Sequence, residues 1–424
     1  MKHLFLILTS ALALSACTNT SSNVDGLRPL PTPPPTVIPP DQRVQQQSLK
    51  WITLDAGNTQ FSFNPQVDVL FVIDNSDSMK EHETNLSRNI NRFIEGFQAN
   101  RVIDYHVGVT SVWDSSERFR TQKKDPYQNG ELRFLQDGKG NTSKDARFVY
   151  RFQNAPAILA ATLNIGVVPY DQGGPEDEEL FSPVAAAIKL TGHGAANENF
   201  FRPNAQLIIV LVTDSDDSTS NLSPSQLSQM LIDFKGGDAK RVSVYGVLGK
   251  KSDPDSLKDY SLRVHPKYHP ECFTNGKPSG KCDAGFGPDM IEQFIFAADA
   301  YEGTPDQIRK KYIMGINQPD FGQDLAQIGS DITVKTLAKE IQLPQAPMQV
   351  GDPKSPDYGR IMVRVIYGTP EQIAAGHGQE IPQADKGGWL YEPSTMTIQL
   401  SGDIHYKYSP GASFVVMMAP AQQN

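Results

Sequence analysis

Val67-Asp68-Val69-Leu70-Phe71-Val72-Ile73 runs directly into Asp74-Asn75-Ser76-Asp77-Ser78. A continuous apolar run of this length reads as a strand buried on both faces, the kind found inside a parallel sheet. It ends in a D-x-S-x-S cluster, one carboxylate and two hydroxyls at spacing two. Open α/β sheets bind ligands at the carboxyl ends of their strands. Hard oxygen donors suit Mg²⁺, Mn²⁺ or Ca²⁺ rather than zinc or copper. The plainer alternative is a turn with a helix cap, because Asn, Ser and Asp bond readily to nearby backbone.

Outward from this stretch, strands and helices alternate from about 60 to 345. Leu86, Ile90, Phe93, Ile94 and Phe97 recur at helical spacing. Tyr105–Val112 reads as a second strand, and 114–170 carries no pattern that assigns it. Ser182-Pro183 opens a helix, with Ser182 as its cap and Pro183 at the first position, where its missing N–H costs nothing. Ala205–Thr213 and Arg241–Leu248 read as further buried strands, and Phe321–Leu343 as a closing helix. Apolar strands alternating with helices imply a doubly wound, mostly parallel sheet flanked by helices, an α/β fold. Beyond Pro344 the pattern changes to short β segments at 361–367, 395–400 and 413–418, parted by Gly/Pro turns. They predict a small β-rich C-terminal domain over 346–424.

Three loops supply candidate ligands at one end of this sheet. The first carries Asp74, Ser76 and Ser78. The second is the helix start at Ser182. The third, Thr213-Asp214-Ser215-Asp216-Asp217, follows the 205–213 strand. Asp77, Asp216, Asp217 and Glu178 are candidates for an outer shell or a second cation; the run 176–179 also reads as a solvated acidic loop. Several carboxylates at one site repel one another unless a cation joins them.

The set resembles the metal-ion-dependent adhesion site of von Willebrand factor type A domains, over about 285 of 424 residues (61–345). Ser182-Pro183-Val184-Ala185-Ala186-Ala187-Ile188 resembles that family's T-P-L-x-x-A-L helix start, with serine for threonine. Asp77 stands where glycine is frequent. Val67–Met79 and Asn197–Pro203 are similar to bacterial surface lipoproteins carrying this domain. The resemblance implies a bound divalent cation, Mg²⁺ or Mn²⁺ with Ca²⁺ as an alternative. Asp74, Ser76, Ser78, Ser182 and Asp214 would hold it, and an open coordination position would accept a carboxylate from a protein or glycan partner. An envelope scaffold with a purely structural metal is the alternative, and a Mg²⁺- or Mn²⁺-dependent hydrolase a weaker one. No nucleophile elbow, HExxH or complete phosphate-binding loop is present, and Gly249-Lys250-Lys251-Ser252 lacks the earlier glycine such a loop needs. A lone histidine such as His82 or His106 reads as surface or satisfied core. The expectation is a binding protein, not an enzyme.

The start of the chain bears on location. Met1-Lys2-His3, the apolar Leu4–Leu14 and then Leu14-Ser15-Ala16-Cys17 read as an export signal over 1–16, too short to span a bilayer. This resembles the lipobox of bacterial lipoproteins, which implies lipidation of Cys17. With Thr18 next, it also implies anchoring in the outer membrane, facing periplasm or cell surface. Residues 17–60 read as a Pro/Ser/Thr-rich linker tending to polyproline II, a semi-rigid spacer. Cys272 and Cys282, in an insertion at about 250–300, read as a disulfide in an oxidising compartment. With His265 and His269 they also allow a zinc site, opposed by Pro266 and Pro270, and free thiols are the third option. A formal charge of -9 argues against nucleic acid, which needs a basic surface.

Overall fold

The computed structural model describes most of residues 66–92, 104–249, 288–318 and 339–419, with short pieces at 51–53, 62–63, 273–278 and 321–331. The signal segment, Cys17, Cys272, Cys282, His265 and His269 lie outside the described residues.

The chain first forms two short strands, β1 (Ile52–Thr53) and β2 (Ser62–Phe63). The long strands β3 (Gln66–Ile73) and β4 (Asp104–Ser111) follow, then helix α1 (Glu117–Gln122), strand β5 (Phe148–Tyr150) and helix α2 (Ala155–Leu163). Helix α3 (Phe181–Lys189) leads into β6 (Gln206–Thr213), α4 (Pro224–Phe234) and β7 (Val242–Leu248). After the hairpin β8 (Phe273–Thr274) and β9 (Lys277–Pro278) come α5 (Asp289–Ala298), α6 (Pro305–Tyr312) and β10 (Ile313–Gly315).

β10-β7-β6-β3-β4-β5 form one six-stranded sheet. All its pairings are parallel except β4 with the edge strand β5. Every residue of β6 and β7 is buried, as are the last seven of β3. That double burial is why their sequences read as unbroken Val/Ile/Leu runs rather than alternating ones. After β3 the chain winds outward through β4 and β5, then returns to the other side of β3 with β6. The winding therefore reverses between β3 and β6, and the crevice expected of such a reversal opens at their carboxyl ends. This is a doubly wound, mostly parallel α/β architecture. Helix α4 starts with a capping box, Ser223 with Gln226, and Pro224 in its first turn. It packs on α5, where Ser228 Oγ donates to Ala297 O at 2.8 Å.

The C-terminal part folds around its own core, which includes Val365, Trp389, Ile398, Phe414 and Val416. Strands β11 (Lys339–Gln342), β12 (Val363–Gly368), β13 (Gln379–Ile381), β14 (Trp389–Glu392), β15 (Thr397–Leu400) and β16 (Ser413–Met418) make two antiparallel sheets. One is β11-β15-β14. In the other, β16 lies between β12 and the two leading strands, with Ile52 opposite Met418 and Phe63 opposite Phe414. The β-rich part is thus completed by residues that precede the α/β part, including two from the stretch read as linker. The closing helix does not extend to Leu343. Ile341 pairs with Ile398 in β11, because a short apolar run cannot by its spacing alone separate strand from helix.

At the amino end of the sheet lies a buried ionic cluster. Asp68 Oδ1 accepts from Arg202 Nε at 2.8 Å and Oδ2 from the Arg202 backbone N–H at 2.7 Å. Arg202 also pairs with Asp104 at 2.8 Å. Lys235, wholly buried, donates to Arg202 O at 2.9 Å and lies 3.8 Å from Asp68. Burial pushes Lys235 down to about 8 and holds Asp68 above its usual value against the pull of Arg202. Removing one partner of such a cluster strands a buried charge. Asp68→Asn should therefore cost about 3–5 kcal/mol of unfolding free energy, measured by urea denaturation.

His106 Nδ1 donates to Phe200 O at 2.8 Å and lies 3.9 Å from Asp68. Burial, and after it Arg202, lowers its pKa, against the opposing pull of Asp68 and Asp104. The unfolded chain takes up this proton near pH 6.5 while the folded chain resists it, so stability should fall as pH drops from about 6.5. His106→Asn, measured beside the parent at pH 7.5 and 5.5, should show a smaller loss of urea midpoint on acidification.

Candidate metal centre

The centre begins where β3 stops. The Asp74 N–H donates to Val212 O at 2.8 Å, extending the β3–β6 ladder by one rung. The chain then turns. Asp74 is buried, and its Oδ1 accepts from the Ser76 N–H at 2.8 Å. Its Oδ2 accepts from Thr213 Oγ1 at 2.7 Å. Such an Asx-type turn is what Asp followed by Asn and Ser favours. Ser78 Oγ donates to Asp214 Oδ1 at 3.0 Å, and Ser76 Oγ lies 3.0 Å from Ser78 Oγ. With the Ser78 proton committed to Asp214, Ser76 is the donor of that pair. Hydrogen bonds thus draw Asp74, Ser76, Ser78 and Asp214 together from the ends of two neighbouring strands.

Other predicted residues take different posts. Asp77 is exposed at the start of the 3₁₀ turn Asp77–Met79. Asp216 accepts from the backbone N–H groups of Met290, at 2.9 Å, and Ile291, at 3.1 Å, in the first turn of α5. Asp217 Oδ1 accepts from Leu180 N at 2.7 Å, Phe181 N at 2.9 Å and Thr219 Oγ1 at 2.8 Å, at the start of α3. Both aspartates therefore satisfy the open N–H groups of helices that begin far away in the chain. Burial nevertheless pushes Asp216 up to about 7 and Asp217 up to about 6.

Ser182 does not cap α3. The helix begins two residues earlier than expected, at Phe181 with Leu180 at the cap position, and the capping oxygen comes from Asp217. Ser182 Oγ accepts from Asn129 Nδ2 at 2.6 Å, and its N–H donates to Thr219 Oγ1 at 3.2 Å. Its hydrogen bonds tie it to the third loop through Thr219. Glu178 is held well above the usual carboxylate range, first by burial and next by the charge of Asp74, with Asp214 adding to it. Its backbone O accepts from Ser218 N at 3.0 Å. His82, read from the sequence as surface or core, is buried with Nε2 3.8 Å from Asp214 Oδ2. Its position four residues beyond Ser78, one helical turn on, was the available signal.

The donors fit a hard cation. Every candidate ligand is an oxygen, and two are carboxylates brought side by side under cover. Among the described residues, no three His, Cys, Asp or Glu side chains form a metal-binding group by themselves. The serine hydroxyls are therefore needed to complete a site here. Burial raises Asp74 against hydrogen bonds from Ser76 and Thr213 and the pull of His82. A small cleft borders the first loop at Asn75, walled by Trp113, Phe119 and Tyr127. Lys123 lies there 4.7 Å over the Trp113 ring.

By sequence, no protein-family model and no curated protein matches the chain. By structure, the chain is similar to proximal thread matrix protein 1 from the mussel byssus, at 12% identity and TM-score 0.33 over 66% of this chain and 50% of that one. A form of the same protein with a zinc-occupied metal-ion-dependent adhesion site matches at 12% identity and TM-score 0.31, over 68% and 52%. The pilus adhesin SpaC from Lactobacillus rhamnosus GG in its open conformation matches at 9% identity and TM-score 0.34, over 83% and 38%. The chain thus spans about half or less of the length of each.

The Asp217 cap is directly testable. Asp217→Ala leaves the Leu180 and Phe181 N–H groups without their acceptor, and should cost about 1–3 kcal/mol in urea unfolding. Asp217→Asn keeps an acceptor oxygen and should cost less.

Proposed function

We propose that this chain is a cell-envelope binding protein that recognises a protein or glycan partner through a divalent cation, Mg²⁺ or Mn²⁺, with Ca²⁺ as an alternative. Asp74, Ser76, Ser78 and Asp214 hold the cation, and Ser182 is a further ligand. The observation that carries this reading is the Asp74–Ser76–Ser78–Asp214 oxygen set at the reversal point between β3 and β6. When bound, the cation supplies a coordination position open to a carboxylate of the partner. The protein contributes the rest. Asp74 and Asp214 provide charge, the serines provide neutral donors that leave the cation short of electrons, and Asp216 and Asp217 fix the third loop to two helices. A charge-to-metal contact of this kind lets one partner side chain dominate binding.

On this proposal Cys17 carries the lipid, the chain is anchored in a bacterial outer membrane, and its activity is recognition rather than catalysis. Among the described residues no helix is long and apolar enough to cross a membrane. The competing reading is a scaffold whose cation only orders the loops. Competition by free acetate separates the two, since only an open coordination position lets acetate weaken partner binding.

The primary test is calorimetric titration of Mg²⁺, Mn²⁺ and Ca²⁺ into the purified chain, beside Asp74→Ala and the double variant Ser76→Ala/Ser78→Ala. Saturable one-site binding is expected for the parent, abolished in the first variant and weakened at least tenfold in the second, as lost ligands require. Binding that survives Asp74→Ala unchanged would sink the proposal.

A further inference from the structure

On the reading of Asp74, Ser76, Ser78 and Asp214 as a cation centre with Ser182 as a further ligand, we propose that Asn129 is the positioning residue for Ser182. Its side-chain amide has two settings, one for the cation-free protein and one for the cation-bound protein.

Asn129 Nδ2 donates to Ser182 Oγ at 2.6 Å. The Oδ1 of the same amide is buried and, among the described residues, has no hydrogen-bond partner. Buried amide oxygens are nearly always paired, so this one requires an account. The backbone beneath it is fixed. Gly130 has a left-handed φ of 73°. A Cβ there would run into the Ala187 nitrogen and stand 2.7 Å from Pro183 O. Glycine alone lets this turn lie on the first turns of α3, the helix that carries Ser182. Asn197 locks it in place, with Nδ2 donating to Gly130 O at 2.9 Å and to Ala187 O at 3.1 Å, and Oδ1 accepting from Leu132 N at 2.9 Å.

A serine hydroxyl has one proton and two lone pairs. As a cation ligand it gives a lone pair to the metal, and the metal's charge makes its proton a stronger donor that needs an acceptor. In the observed setting Asn129 is a donor and occupies a Ser182 lone pair. Rotation of the terminal amide by about 180°, a soft torsion with two nearly equivalent wells, presents Oδ1 instead. Ser182 then donates its proton to Oδ1, and both lone pairs face away from Asn129. The two ends of the amide are close in size, so no backbone movement is required. The unpaired Oδ1 is the acceptor held ready for that second setting. Such outer partners orient metal ligands and commonly change affinity by about 10–100-fold when removed.

The test uses the full chain with Mg²⁺ as the probe. Calorimetry is run on the parent, Asn129→Leu, Asn129→Asp, Ser182→Ala, Asp74→Ala and the Asn129→Leu/Ser182→Ala pair. The Asn129 side-chain amide signals are followed by NMR after selective ¹⁵N labelling. Mg²⁺ should move those signals. Asn129→Leu should bind about 10–100-fold more weakly, and Asn129→Asp, which only accepts, should keep the parent's affinity or exceed it. The double variant should bind no more weakly than Ser182→Ala, since both act through one hydroxyl. If Asn129→Leu fails to fold, Asn129→Asp and the amide signals decide the matter. Affinity that falls with Asp74→Ala but ignores both Ser182→Ala and Asn129→Leu would keep the centre and overturn this role for Asn129. Additive losses in the double variant would overturn it as well. A parent that binds no Mg²⁺ would remove the centre itself.

Discussion

The controlling constraint at the carboxyl end of the sheet is the placing of two carboxylates, Asp74 and Asp214, at the ends of adjacent strands with little water around them. Like charges so placed are costly, and burial alone already lifts Asp74. The surrounding design compensates without neutralising. Thr213, the Ser76 N–H and Ser78 each give a hydrogen bond to one of these carboxylates, and His82 stands 3.8 Å from the second. Glu178 is itself held well above the usual carboxylate range by burial and by the charge of Asp74, and brings no positive charge to offset it. On the proposed function, a cation would complete this arrangement.

The opposite end of the same strands holds its acid by ion pairs instead. Asp68, like Asp74, is buried, and Arg202, Lys235 and Asp104 form with it a set of two positive and two negative side chains. One strand, β3, therefore carries an ion-paired acid near its start and a hydrogen-bonded acid just past its end.

The sheet was legible in the sequence because β3, β6 and β7 are buried on both faces, which leaves long apolar runs that no exposed strand would keep. Asp74, Ser76, Ser78 and Asp214 were legible because their pattern is local to the strand ends. The roles of Asp216 and Asp217 were not. Each caps a helix through contacts 36 to 75 residues away in the chain, and no spacing rule reaches that far. For the same reason Ser182 read as a cap. Its sequence, Ser before Pro, has the local form of one, but a distant carboxylate had already taken the position. Asn129 lay in a stretch without periodicity, and its meaning depends on Gly130 and Asn197, neither of which signals a metal. The strands at 52–53 and 62–63 were hidden by their brevity and by partners more than 350 residues away.

Those two strands bear on how the centre is presented. The chain enters β3 at Gln66 directly after pairing with β16, and β3 runs eight residues before Asp74. At ~3.3 Å per residue the metal loops stand roughly 26 Å along the strand from the point of entry. On the proposed anchoring through Cys17, tension on a bound partner reaches the anchor by way of β1 and β2, whose partner is β16. The β-rich part then lies between that anchor and the sheet along the chain. Parallel strands buried on both faces resist such loading through many hydrogen bonds at once, whereas the short pairs at 52–53 and 62–63 have few. The leading strands are therefore the less strongly paired link between the proposed anchor and the sheet.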